Sequence, residues 1–333
     1  MTITPELYAA TASAIEREIG KVIVGQRALV RDVLVCLLCE GHALLEGVPG
    51  LGKTMLLKTL SAAVDLEFNR IQFTPDLMPA DILGTQVLEQ QPDGGRDFRF
   101  RPGPVFASLV LADEVNRATP KTQSALLEAM QERMVTVAGA TRPLPRPFLV
   151  MATQNPLEME GTYPLPEAQL DRFLLKSLVP FPAADELVAV VGRTTGADHA
   201  EVEAVADAAE LRAMIALTRE VPVPAHVVQH AVDLVVATHP DHGTAPDQVR
   251  RYVRFGASPR GAQALILAAK ATALLDGRPS AAADDVRAVA PGALRHRLLT
   301  GYEAVADGVR ADDLVAAVLD AVPEPAVGLR GAP

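Results

Sequence analysis

Residues 42–54 read HALLEGVPGLGKT, and MLLKTLSAAV follows at 55–64. The first five residues form a short apolar strand. Gly47, Val48, Pro49, Gly50, Leu51, Gly52, Lys53 and Thr54 fit G-x-x-x-x-G-K-[ST], and residues 51–64 have the composition of a helix. A chance glycine-rich turn would lack this strand on one side and helix on the other. The glycines let successive backbone N–H groups turn inward around phosphates. The helix N-terminus adds about half a unit of positive charge. In such a loop Lys53 reaches the β- and γ-phosphates, and Thr54 offers a hydroxyl to Mg²⁺.

A phosphate loop of this kind needs a carboxylate at the end of a neighbouring strand. SLVLADE (108–114) supplies two. Asp113 is placed as the metal-side carboxylate, and Glu114 to orient or deprotonate an attacking water. A lone acidic pair could equally cap a surface helix; its position after the phosphate loop favours the first reading. A third apolar strand, FLVMATQNP (148–156), ends in amides. Asn155 could bond a γ-phosphate or the attacking water, although Asn and Pro also end strands as turn formers.

The rest of the first half alternates. Helical periodicity covers 6–19, 27–40, 51–64 and 122–131. Short apolar strands are expected at 42–46, 68–73, 108–112, 148–152 and 174–179. This predicts an α/β fold with a parallel five-stranded sheet covered on both faces. Two hairpins interrupt it. One spans 84–101 around Pro92-Asp93-Gly94-Gly95, with Arg96, Phe98 and Phe100 on one face and Asp97, Arg99 and Arg101 on the other. Those phenylalanines either pack onto their own domain or grip a polymer. The other hairpin spans 134–146. After Pro180 and Pro182 the chain turns alanine-rich and helical. The expected organisation is a core at 1–182, a smaller all-α domain at 183–322 and a flexible tail at 323–333.

Composition narrows the function. The 333 residues are 49% hydrophobic and 22% charged, as in globular proteins. The net charge of −10 argues against attachment to DNA or an anionic membrane by bulk charge. Cys36 and Cys39 lie in VLVCLLC, without the polar, exposed surroundings of a reactive thiol pair, so they read as packed core thiols. No apolar run approaches the ~20 residues of a membrane span. The N-terminus lacks a basic region followed by an apolar one, so a cytoplasmic location is expected. His226 and His230 are four apart but enclose Val227-Val228-Gln229, without the glutamate of HExxH. Asp284-Asp285 and Asp312-Asp313 read as solvated helix starts.

Taken in order, VIVGQ (22–26), GVPGLGKT (47–54), LADEVNRA (111–118), MATQNP (151–156), LPEAQLDRF (165–173) and GASPRG (256–261) resemble the AAA+ ATPases. QFTPDLMPADILG (72–84), RPGPVF (101–106) and PKTQSALLEAMQERMVTV (120–137) resemble the MoxR family among them. The resemblance spans roughly residues 20–300. It implies a P-loop NTPase core with a helical lid, using ATP and Mg²⁺ bound between the two. It places Val24 and Gly25 near the adenine. It implies that Asn155 is sensor 1, that Arg172 is an arginine finger presented to the neighbouring subunit, and that Arg260 is sensor 2 on the lid. Arg117 is a rival finger, and sensor 2 could act on its own or a neighbour's nucleotide. The two hairpins match the helix-2 insert and pre-sensor-1 hairpin of a clade that includes magnesium-chelatase motors and replicative helicase rings. The physics agrees: one lysine cannot neutralise a hydrolysing triphosphate, and an added arginine is worth on the order of 10³–10⁵ in rate.

The resemblance therefore implies an ATP-hydrolysing homo-oligomer, expected as a hexameric ring. It would act as a chaperone-like remodelling factor on a protein client, in this family often beside a von Willebrand factor A domain protein. A nucleic-acid motor is a second reading, favoured by the hairpin arginines and disfavoured by the net charge. A metal-chelatase motor subunit is a third. A nucleotide-gated binding protein without turnover is a fourth, and Asp113, Glu114 and Arg172 argue against it.

Overall fold

The computed structural model describes residues 3–90, 96–155, 161–196 and 200–325. The expected turn at 92–95, Pro156 and the tail from 326 lie outside the described residues. The chain forms two compact units, Ala10–Ile215 and Ile3–Ala9 with the described residues from Ala216 onward.

The opening helices are α1 (Pro5–Val22) and α2 (Arg27–Leu38). They are followed by β1 (Ala43–Glu46), α3 (Lys53–Ala63), β2 (Phe68–Gln72), α4 (Pro79–Leu83), β3 (Gly84–Gln90), β4 (Arg96–Pro102) and β5 (Leu109–Asp113). Next come α5 (Pro120–Glu132), β6 (Met134–Val137), β7 (Ala140–Pro143), β8 (Leu149–Gln154), α6 (Glu167–Leu170), β9 (Leu175–Leu178) and α7 (Ala184–Thr195). Strands β2, β5, β8, β1 and β9 lie in that order in one sheet, every neighbouring pair parallel. This is the five-stranded parallel sheet expected from the short apolar runs. Leu44, Val110, Ala112, Val150 and Ala152 share one side-chain parity and cluster with Leu126, Leu127 and Met130 of α5 and with Phe73, Phe148 and Phe173. The opposite parity, Leu45, Leu111 and Met151, is also fully buried, as a sheet covered on both faces requires. β2, at one edge, presents Arg70 and Gln72 outward and buries only Ile71.

Both hairpins form. β3 pairs antiparallel with β4 from Gly84↔Pro102 to Gln90↔Arg96, and β6 with β7 from Met134↔Pro143 to Val137↔Ala140. The two phenylalanines of β4 divide. Phe100 packs edge-on against Phe106 at 5.6 Å, with the Arg142 guanidinium of β7 3.9 Å above its ring. Phe98, paired with Leu88, is 65% exposed.

His42, just ahead of β1, ties the core together. Its Nδ1 accepts from the Val150 amide and its Nε2 pairs with the Met130 carbonyl, each at 3.0 Å. The ring is therefore neutral, with its proton on Nε2. Burial pushes its pKa down to about 4 from 6.5, outweighing the bond to Met130; Arg133 adds to the fall. Between those values the unfolded chain binds the proton and the folded one does not. The contribution of His42 to stability is then full above about pH 6.5 and falls with pH toward 4, by at most about 1.4 kcal/mol per unit. Urea unfolding at pH 7, 5.5 and 4.5 should show this slope, and His42→Gln should reduce it by up to one proton while lowering stability at pH 7.

The second unit is helical, with one short ribbon. Its elements are the end of α8 (Ala208–Glu220), α9 (Ala225–Ala237), α10 (Asp247–Tyr252), β10 (Val253–Phe255), α11 (Pro259–Leu275), α12 (Ala283–Leu294), β11 (Leu299–Thr300), α13 (Tyr302–Ala306) and α14 (Ala311–Ala321). Its core joins Leu234, Leu265, Ala269, Val286, Leu294, Leu314 and Val318. Asp285 departs from the solvated helix start expected of it. It is 3% exposed and accepts from the Arg278 guanidinium and the Ala282 amide. The Asp285 carboxylate is the main reason the Arg278 pKa is raised. Among the described residues no helix is long and apolar enough to cross a membrane.

Candidate nucleotide site

The strand order dictates where the site lies. β8 separates β1 from β5, so the loop leaving β1, the acidic end of β5 and the amides ending β8 emerge side by side at the carboxyl edge of the sheet. A cavity of about 500 Å³ lies there. Gly47, Pro49 to Thr54, Asp113, Glu114 and Asn155 all line it.

The loop is shaped by its glycines. Gly50 and Gly52 take φ of +83° and +76°, a region costly for residues with a Cβ. A Cβ at Gly47 would lie 2.9 Å from Val179, so only glycine lets the loop leave β1 beside β9. Lys53 begins α3 and donates from Nζ to the Gly47 carbonyl at 2.5 Å. Burial lowers the pKa of this ammonium, and Asp113, Glu114 and Glu46 oppose the fall. Gln26 donates from Nε2 to the Leu51 carbonyl at 3.1 Å, which ties the Val24-Gly25 turn to the loop. Gly25 has φ of +63°, and a Cβ there would collide with the Glu186 carboxylate.

Both carboxylates accept hydrogen bonds from neighbouring side chains. Thr153 of β8 donates from Oγ1 to Asp113 Oδ1 at 2.7 Å and accepts from the Glu114 amide at 2.8 Å. That second bond helps hold Glu114 in the left-handed conformation, φ 57°, which is strained for a residue with a side chain. Arg70 donates to Asp113 Oδ2 from Nε at 3.2 Å and Nη2 at 2.6 Å. Gln72 Nε2 and Arg117 Nη1 donate to Glu114 Oε2 at 2.8 and 3.0 Å. Asp113 and Glu114, expected at this place from the sequence, line the cavity; Arg70, Gln72 and Thr153, which bond them, were not expected. Arg70 and Gln72 are two apart on β2, and only the adjacency of β2 to β5 brings them to these carboxylates.

Arg172 does not line its own chain's cavity. It follows α6, its amide donates to the Gln169 carbonyl at 3.2 Å, and its Nε is buried without a hydrogen-bond partner among the described residues. Arg260 belongs to the second unit, one residue inside α11. Pro259 opens that helix, and the Ser258 hydroxyl accepts from the Arg260 amide.

These features define the core of a P-loop protein. Residues 42–175 match the model of the "ATPase family associated with various cellular activities (AAA)", and residues 247–318 match that of the "AAA lid domain". The chain is 44% identical over 325 residues to Chaperone MoxR1 of Mycobacterium tuberculosis, covering 97% of this chain and 85% of that one. It is 34% identical to Protein MoxR of Methylorubrum extorquens, covering 94% and 95%. A crystal structure of a protein from Cytophaga hutchinsonii superimposes with a TM-score of 0.90 at 38% identity, covering 96% and 97%. The chain belongs to the MoxR family of AAA+ ATPases.

Proposed function

We propose that the chain hydrolyses ATP as a ring-forming, chaperone-like remodelling factor acting on a protein partner. The observation that carries this is the cavity of about 500 Å³ in which the glycine loop, Lys53 and the Asp113–Glu114 pair converge. Its size suits a nucleotide. The residues fit a magnesium nucleotide: loop amides and Lys53 suit phosphates, while the Thr54 hydroxyl and Asp113 carboxylate are the hard oxygen donors Mg²⁺ takes. The bound ion would neutralise charge on the phosphates. Glu114, its carboxylate aimed by Gln72 and Arg117, would orient the attacking water and take its proton. Asn155 would bond the γ-phosphate or that water, and Val24 and Gly25 would flank the base.

Arg172 would complete the site of a neighbouring subunit. Its absence from its own chain's cavity, and the engagement of Arg117 with Glu114, support Arg172 as the finger. Arg260 would serve as sensor 2. The sheet ends with β9 at Leu178, which supports dividing core from lid at 182–183, although the first compact unit runs on to Ile215. The relative named Chaperone MoxR1 supports a protein client, and a von Willebrand factor A domain protein is a candidate. A cytoplasmic hexamer is the working assembly. Exposed Phe98 beside Arg96 and Arg99 keeps a nucleic-acid motor as the second reading.

ATP turnover measured against protein concentration, with and without DNA, tests this. Turnover per subunit should rise as rings assemble and ignore DNA. Full activity in a dilute monomer would overturn the ring, and stimulation by DNA would favour the motor.

A further inference from the structure

We propose that Arg70 is a positioning residue for Asp113: a built-in cation that holds this carboxylate until a divalent cation takes its place. The inference rests on the reading of Asp113 as the metal-side carboxylate.

Both oxygens of Asp113 are engaged. Thr153 Oγ1 holds Oδ1 at 2.7 Å, and Arg70 holds Oδ2 through Nε and Nη2 at 3.2 and 2.6 Å. These three bonds take three of the roughly four lone-pair sites of the carboxylate, so an ion bound at Oδ2 has to displace the Arg70 fork. Thr153 is the fixed partner. It is 1% exposed, sits within β8, and its hydroxyl also receives the Glu114 amide. Arg70 is the movable one. Its side chain is 47% exposed, it extends from the edge strand β2, and it lines the same cavity. Its Nη2 also bonds Gln72 Oε1 at 2.7 Å, so the guanidinium keeps one partner when it leaves Asp113.

Charge explains why such a residue is useful. Asp113 and Glu114 are adjacent carboxylates, and Lys53 is shared between them and Glu46. With no divalent cation present, Arg70 supplies the missing positive charge at Asp113 and keeps its carboxylate aimed into the cavity. Entry of the ion exchanges a singly charged, partly exposed partner for a doubly charged one. The affinity for Mg²⁺ is then set by that exchange rather than by Asp113 alone.

The test is a Mg²⁺ titration of N-methylanthraniloyl-ADP fluorescence on the full-length wild type, Arg70→Ala, Arg70→Lys and Asp113→Asn. Arg70→Ala should lower the half-saturating Mg²⁺ concentration by about fivefold, the scale of one partly exposed ion pair. Arg70→Lys, which keeps the charge but loses the fork, should fall between. Asp113→Asn should raise it. If Asp113→Asn raises the midpoint while Arg70→Ala leaves it unmoved or higher, the exchange is refuted and the metal reading stands. A lower melting temperature with an unmoved midpoint would make Arg70 a tie between β2 and β5 and nothing more. If Asp113→Asn does not move the midpoint, the metal reading itself fails.

Discussion

Arg172→Ala should turn over ATP on the order of 10³-fold more slowly than the wild type, or worse, while binding it with nearly unchanged affinity. The Arg172 side chain is absent from the lining of its own chain's cavity, so its loss should leave that cavity's binding groups in place. What would be lost is charge neutralisation on the transferring phosphoryl group, which Lys53 alone cannot supply. The variant also has a signature that an ordinary destabilising change lacks. Mixed with Lys53→Ala, which cannot grip phosphates but keeps its arginine, it should regain part of its activity. A ring joint that sets an intact Arg172 against an intact loop is complete. Absence of rescue at every mixing ratio would place the finger elsewhere, with Arg117 next in line.

Glu114→Gln should separate binding from hydrolysis at the same site. The amide is close in shape, can still accept from Gln72 and Arg117, and leaves the strained backbone at 114 unchanged. It cannot take a proton from water. Turnover should fall by on the order of 10²–10⁴, the usual contribution of a positioned general base, with nucleotide affinity within a few fold of wild type. Steady-state hydrolysis beside a nucleotide titration reads both. Turnover close to wild type would clear Glu114 of this role.

The parts of the site carried by one continuous segment were legible in the sequence. The glycine loop announces itself because strand, loop and helix are consecutive, and Asp113 and Glu114 because an apolar strand runs straight into them. What could not be read was whatever depends on which strands are neighbours. Arg70 and Gln72 look like ordinary polar residues of an edge strand until β2 is found beside β5. Thr153 looks like one more residue of a buried strand until its hydroxyl is found bridging Asp113 and the Glu114 amide. The hairpins were recoverable from alternation, but not the separation of Phe100, under Arg142, from Phe98 in solvent, because that depends on how the second hairpin lies against the first. Asp285 fell to the same limit: a helix-start aspartate reads as solvated unless the arginine that buries it can be located in space.

Everything proposed for this chain depends on phosphates being gripped at residues 47–54. Equilibrium titration of ATP into the wild type and Lys53→Ala, at matched Mg²⁺ and with folding checked by circular dichroism, tests that grip directly. Saturable binding by the wild type, weakened at least about tenfold in the variant, about 1.4 kcal/mol, is the expected result. Equal affinity in the two folded proteins would contradict it.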